Sequence, residues 1–114
     1  MEEIKIPEIL YHATWEENVM SIFLEGLKPG FDGLNYLCDK QEDAAKFLVL
    51  KIQPGKQLVV LKIYTKNLDK ELFDYGFDHN PNFFGNLNVL TYKGIISKDH
   101  ISSLYTKYEF GGKK

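Results

Sequence analysis

Apolar and polar positions along the first half of the chain alternate between short runs and helical spacings. Ile9-Leu10-Tyr11-His12 predicts a short strand that stops at a helix start. There Thr14 is placed to serve as N-cap, with Glu17 three residues on, as a capping box requires. Val19, Ile22 and Phe23 then recur at helical spacing with Met20 beside them. Gly26 is suited to end that helix, because a residue without Cβ accepts a left-handed conformation, and Leu27 would fold back onto the last turn. Pro29-Gly30-Phe31-Asp32-Gly33 is turn chemistry, and Leu34 to Cys38 reads as a second strand. Asp39 with Glu42 makes another capping box, followed by a helix carrying Ala44, Ala45, Phe47 and Leu48 and ended by Pro54-Gly55.

Gln57 to Thr65 is the strongest strand, apolar, β-branched or aromatic almost throughout, with Lys62 its only charge. A run this continuous predicts a central strand covered on both faces. Leu68 to Phe77 is ambiguous and fits one helical turn. Asp78 to Asn88 is a loop by composition, with four Asn, a Pro and a Gly. Val89 to Tyr92 and Ile101 to Tyr108 are two further strands, joined through residues 94–100. The order strand, helix, strand, helix, then mainly strands predicts the α+β class, with both helices in the N-terminal half.

The 114 residues suit one domain over residues 1–110, with 111–114 as a loose C-terminal tail. A domain of that size buries roughly two-thirds of its unfolded surface. Net charge is −2 with both signs interspersed, so no electrostatic footprint for nucleic acid is present. All fourteen basic residues are Lys. A bound phosphate would therefore be held by Lys, hydroxyls or backbone N–H groups, without a bidentate guanidinium. The single cysteine, Cys38, has no partner for an internal disulfide, which fits a reducing, cytoplasmic compartment. The acidic start Met1-Glu2-Glu3-Ile4-Lys5 is unlike a secretion signal, and the longest unbroken apolar runs are four residues, so no membrane span is expected.

Tyr11-His12-Ala13-Thr14 is the first group that could carry chemistry. An imidazole at a strand end either bonds a ribose hydroxyl, acyl or amide group, or is a partly buried histidine satisfied by backbone. The second group is Asn35-Tyr36-Leu37-Cys38-Asp39 with Ala44-Ala45-Lys46-Phe47. Tyr36 can serve as a stacking platform for a flat heterocycle, with Phe47 closing the other side, or both belong to an aromatic core. The residues alone leave both pairs of readings open. His12, His79 and His100 with Cys38 lack metal-ligand spacing, so no metal is expected, and no glycine loop matches a phosphate cradle.

In order and spacing, His12-Ala13-Thr14, Gly26-Leu27-Lys28-Pro29, Leu34-Asn35-Tyr36-Leu37 and Ala45-Lys46-Phe47 together resemble the ADP-ribosyltransferase superfamily. That group includes poly-ADP-ribose polymerases, DNA-modifying toxins and RNA 2′-phosphotransferases. The likeness covers about a third of the chain. It implies a small divergent member with a mixed β-sheet, and NAD as substrate or ligand. His12, Ala13 and Thr14 would bind a ribose, and Tyr36 and Phe47 would sandwich the nicotinamide. Asn88 falls where many members carry a Glu that stabilises the cationic transition state, so the implied triad is His12, Tyr36 and Asn88 without that charge. Asp74 and Asp78 precede it as alternative carboxylates or solvated turn residues. The absence of Arg argues against the phosphotransferase branch.

Two readings follow from the likeness. One is a transferase that moves ADP-ribose to a macromolecular acceptor with an atypical triad. The other is a catalytically inactive nucleotide- or protein-binding module, such as an inhibitor of bacterial-phage or mobile-element type. A plain α+β interaction domain without a ligand stands as a third.

Overall fold

A computed structural model describes residues 6–49, 56–75 and 89–108. Among the described residues eight elements occur in chain order: β1 (Ile9–Trp15), α1 (Val19–Glu25), β2 (Leu34–Cys38), α2 (Gln41–Val49), β3 (Leu58–Tyr64), β4 (Phe73–Tyr75), β5 (Val89–Lys93) and β6 (Ile101–Tyr108). Single 3₁₀ turns at Glu16–Asn18, Lys70–Leu72 and Lys98–His100 precede α1, β4 and β6. The α+β class and the two helices in the N-terminal half match the sequence reading. The expected loop over Asp78–Asn88 and the tail at 111–114 lie outside the described residues.

The six strands form one sheet in the order β4-β5-β2-β1-β3-β6. Every neighbouring pair is antiparallel, so the mixed sheet implied by the family likeness is corrected. The reason lies in one crossover. β2 and β3 run in the same direction and are joined through α2, as parallel neighbours would be, but β1 lies between them and pairs antiparallel with both.

Strand alternation sorts the side chains onto two faces. Leu10, Leu37, Leu61, Ile63, Leu90 and Tyr92 face α1, where Ile22 and the Leu27 and Ile96 side chains complete a core. Phe23 of α1 packs on Tyr105 of β6 with ring centroids 6.3 Å apart. Cys38, Leu58, Val60 and Val89 face α2 and pack with Ala44 and Ala45. β3 therefore buries side chains on both faces, as its unbroken apolar run predicts. On the α2 side the cover ends before Tyr64, which is exposed.

Two local expectations are corrected. Thr14 does not cap a helix. β1 continues through it to Trp15, because His12 to Trp15 pair residue by residue with Leu61 to Leu58 of β3, and that ladder outweighs the local capping preference. The helix starts later, at Val19, through the 3₁₀ turn, and no side chain caps it. α2 begins at Gln41, one residue later than the Asp39 capping box implies, with Ala44 N–H to the Lys40 carbonyl at 3.1 Å closing its first turn.

Gly26 does end α1. Its φ of 89° is glycine territory, its N–H reaches the Ile22 carbonyl, and a Cβ there would sit 2.9 Å from the Ile96 carbonyl oxygen. The close approach lets Leu27 and Ile96 exchange two backbone hydrogen bonds of 2.8 and 2.9 Å, which hold the chain after α1 over the β2–β5 half of the sheet. Asn35, almost fully buried, fastens the same place: its amide donates to the carbonyls of Leu27 and Gly94 at 3.2 and 3.0 Å.

Candidate functional site

The site follows from how the sheet is stitched. β1 and β3 share seven registered pairs, and β2 and β5 share five. β1 and β2, the two middle strands, share one: Tyr11 opposite Cys38. Past that pair, toward the C-terminal end of β1 and the N-terminal end of β2, the ladder stops. A strand carbonyl that loses its backbone partner must find another. For Tyr36 that partner is a side chain, because His12 Nδ1 donates to its carbonyl oxygen at 2.9 Å.

This bond sets the state of the ring. A carbonyl only accepts, so Nδ1 carries the proton. Burial holds His12 below the ordinary imidazole value, and the bond to Tyr36 pulls the other way without overcoming it. The ring is therefore neutral near pH 7, and Nε2 is a lone-pair acceptor. Among the described residues Nε2 meets no hydrogen-bond donor.

Tyr36 leaves β2 on the α2 face, half-buried and packed with the cluster that holds Ala44 and Ala45. Its hydroxyl donates to Asp32 Oδ2 at 2.8 Å, and Asp32 Oδ1 accepts the Leu34 N–H at 3.1 Å. The Gly33 N–H to Gly30 carbonyl bond at 2.9 Å closes the turn that carries Asp32. One carboxylate thus fixes both the turn and the aromatic ring. Its acceptance of the phenol proton, helped by burial, raises Tyr36 above the ordinary phenol range.

The other sequence candidates are placed as follows. His12 is the fourth residue of β1 rather than its last, and what ends beside it is the β1–β2 pairing. Ala13 faces α2 and packs with the same cluster as Tyr36. Thr14 is buried, and its hydroxyl accepts from Asn18 Nδ2 at 3.3 Å. Phe47 lies on α2, but its side chain is outside the described residues, as are Asn88 and Asp78. Asp74 stands in a cross-strand row with Thr91 and Tyr36, on the same face as the tyrosine ring.

The structure thus joins His12 to Tyr36 through the backbone of Tyr36. The two side chains leave their strands toward opposite faces. Cys38 is fully buried at the Tyr11 pair; burial, then the charges of Asp43 and Asp39, push its thiol up to about 12, which favours the protonated thiol. Asp32 is the functional candidate that sequence reasoning missed. It reads as turn chemistry, and only the four-residue reach to Tyr36 across a closed turn gives it a second role.

No protein-family model matches the chain, and no curated protein matches it. The site is thus described by its own geometry. Among the described residues no three of His, Cys, Asp and Glu come together as a metal cluster would require, and no helix is long and apolar enough to cross a membrane.

Proposed function

We propose that the chain is a nucleotide-binding domain for NAD or a closely related nucleotide, taken into the seam between β1 and β2. The observation that carries this reading is the seam itself, held at its inner end by the His12–Tyr36 bond. That bond presents a neutral imidazole with Nε2 as acceptor for a ribose hydroxyl. Tyr36 supplies the flat surface for the nicotinamide. The two side chains leave on opposite faces, so a ligand touching both must be extended, which suits a dinucleotide better than a compact metabolite. With no Arg in the chain, its phosphates would meet backbone N–H groups, the Thr14 side of the seam or lysines.

The resemblance to ADP-ribosyltransferases extends this to chemistry. In that reaction the bond between nicotinamide nitrogen and ribose C1′ breaks, nicotinamide leaves, and an acceptor nucleophile on a macromolecule takes C1′ and gives up its proton. His12 would orient the ribose, Tyr36 the ring, and Asn88 the reacting sugar without adding charge, so positioning would supply most of the rate. The same fold serving only as an inactive nucleotide- or protein-binding module is the second reading. It is favoured by Asn88 at the position where a Glu is expected. A cytoplasmic location belongs to both readings, with the unpaired Cys38 thiol in support.

The test is titration calorimetry with NAD while nicotinamide release is followed in the same sample. Binding with release establishes a transferase or hydrolase. Binding without release supports the inactive module, and Asn88→Glu then asks whether one charge restores cleavage. No heat at millimolar NAD, where a site of about −4 kcal/mol would be half filled, overturns the reading.

A further inference from the structure

We propose that Asp32 is a specificity-determining residue, which through its hydrogen bond to Tyr36 makes the tyrosine ring select a positively charged flat heterocycle over a neutral one of the same shape. The inference deepens the nucleotide reading and rests on it for the place of the ligand, though its chemistry is argued from the Tyr36 surroundings alone.

A phenol that donates its proton to a carboxylate gains electron density on its ring, and the face of an electron-rich ring attracts cations. Tyr36 is in that state, with its hydroxyl 2.8 Å from Asp32 Oδ2 and its ring half-buried. The carboxylate is held in place by its other oxygen, which accepts the Leu34 N–H, so the charge is fixed relative to the ring. Other carboxylates lie on the same face as the ring. Asp74 shares its cross-strand row, and Asp39 and Asp43 stand close enough to Cys38, two residues along β2, to affect its thiol. Among the described residues Lys93, opposite Leu34 and exposed, and Lys62, in one row with Tyr11 and Cys38, are bases on the same face. At the other side of the seam His12 adds a lone pair and no charge. An N-alkylated pyridinium fits this environment, and a neutral pyridine or dihydropyridine fits it less well.

Asp32→Asn is the discriminating variant. An asparagine oxygen still accepts the Leu34 N–H, but its amide nitrogen donates to the phenol oxygen, so the polarisation of the ring reverses and the charge goes. The experiment compares N1-methylnicotinamide, a cation, with nicotinamide, its neutral counterpart, by calorimetric titration of the full chain, with NAD⁺ and NADH as a second pair. The wild type should bind each cationic partner about threefold or more tighter than the neutral one. Asp32→Asn should bring both ratios to near one at an unchanged melting temperature, and Tyr36→Phe should do the same with the aromatic surface kept. Equal binding of cation and neutral by the wild type overturns the inference, as does a ratio that survives in Asp32→Asn. NAD⁺ and NADH bound equally would remove the inference and leave the nucleotide reading standing. Selective binding of N1-methylnicotinamide without NAD⁺ would do the reverse, and no binding of any of the four removes both.

Discussion

The β1-β3-β6 half of the sheet and the β2-β5-β4 half are built to different standards of closure. In the first, β3 is matched to β1 over seven residues and to β6 over five, and its buried side chains alternate between both cores. In the second, β5 is matched to β2 over five residues and to β4 over three, and the loop after α1 is fastened on by the Leu27–Ile96 exchange and by Asn35. Each half satisfies its own backbone. Among the described residues the backbone ties between β1 and β2 are one registered pair and one imidazole bond. Backbone pairing is concentrated inside the halves, and side-chain packing in both cores joins them. A side chain can thus stand in for ladder bonds between two middle strands.

The sharpest way to break the comparison is to ask whether the halves unfold together. Leu61 on β3 and Leu90 on β5 belong to one core that crosses the seam. Truncation of a buried leucine costs about 2–5 kcal/mol. Leu61→Ala and Leu90→Ala should each lose stability in that range with the denaturant slope of the wild type, as measured by urea unfolding. A second transition in either variant would mean that the seam divides two independent units.

A smaller effect is expected at Gly26, which tethers the second half to α1. A side chain at φ 89°, with its Cβ 2.9 Å from the Ile96 carbonyl, strains the backbone and presses on the Leu27–Ile96 exchange. Gly26→Ala should cost about 1–3 kcal/mol, and amide exchange should quicken at Leu27 and Ile96 before it does in β3. Unchanged protection at those two amides would show that the contact relaxes without consequence.

The smallest effect belongs to the seam. Removing one hydrogen bond costs about 0.5–1.5 kcal/mol, and His12→Ala should lie there, with faster exchange confined to β1 and β2. The same residue sets a pH dependence. Its folded-state pKa lies below the unfolded value of about 6.5, so the unfolded chain binds more protons in that window. Stability is complete above pH 6.5 and falls as pH drops from there through the folded value. His12→Gln should flatten that slope in urea titrations across pH 5 to 7. A slope that persists in the variant would assign it to other groups.

Sequence alone made the strands legible where apolar runs are short and bounded by turn residues. Leu34–Cys38 and Ile101–Tyr108 are found as read, and Leu58–Tyr64 lies within the stretch read as Gln57–Thr65. The first helix start was misread because Thr14 and Glu17 satisfy a local rule that the β1–β3 ladder overrides. The ambiguous stretch after Leu68 resolves into a 3₁₀ turn, capped by Asp69 through the Glu71 N–H, and then β4. β4 is too short to show a period of its own. Of the site, His12 and Tyr36 were visible as residue types next to turns. The bond between them was not, since it depends on a register that stops after one pair. Asp32 was hidden for the same reason, as its second oxygen finds Tyr36 only once the turn has closed.

Cys38 gives the α2 cover a built-in clock. Its thiol is fully buried beneath Ala44 and Ala45 of that helix. Alkylation by iodoacetamide must therefore wait for the helix to lift from the sheet, and the labelling rate in the native protein counts those openings directly, with no engineered probe.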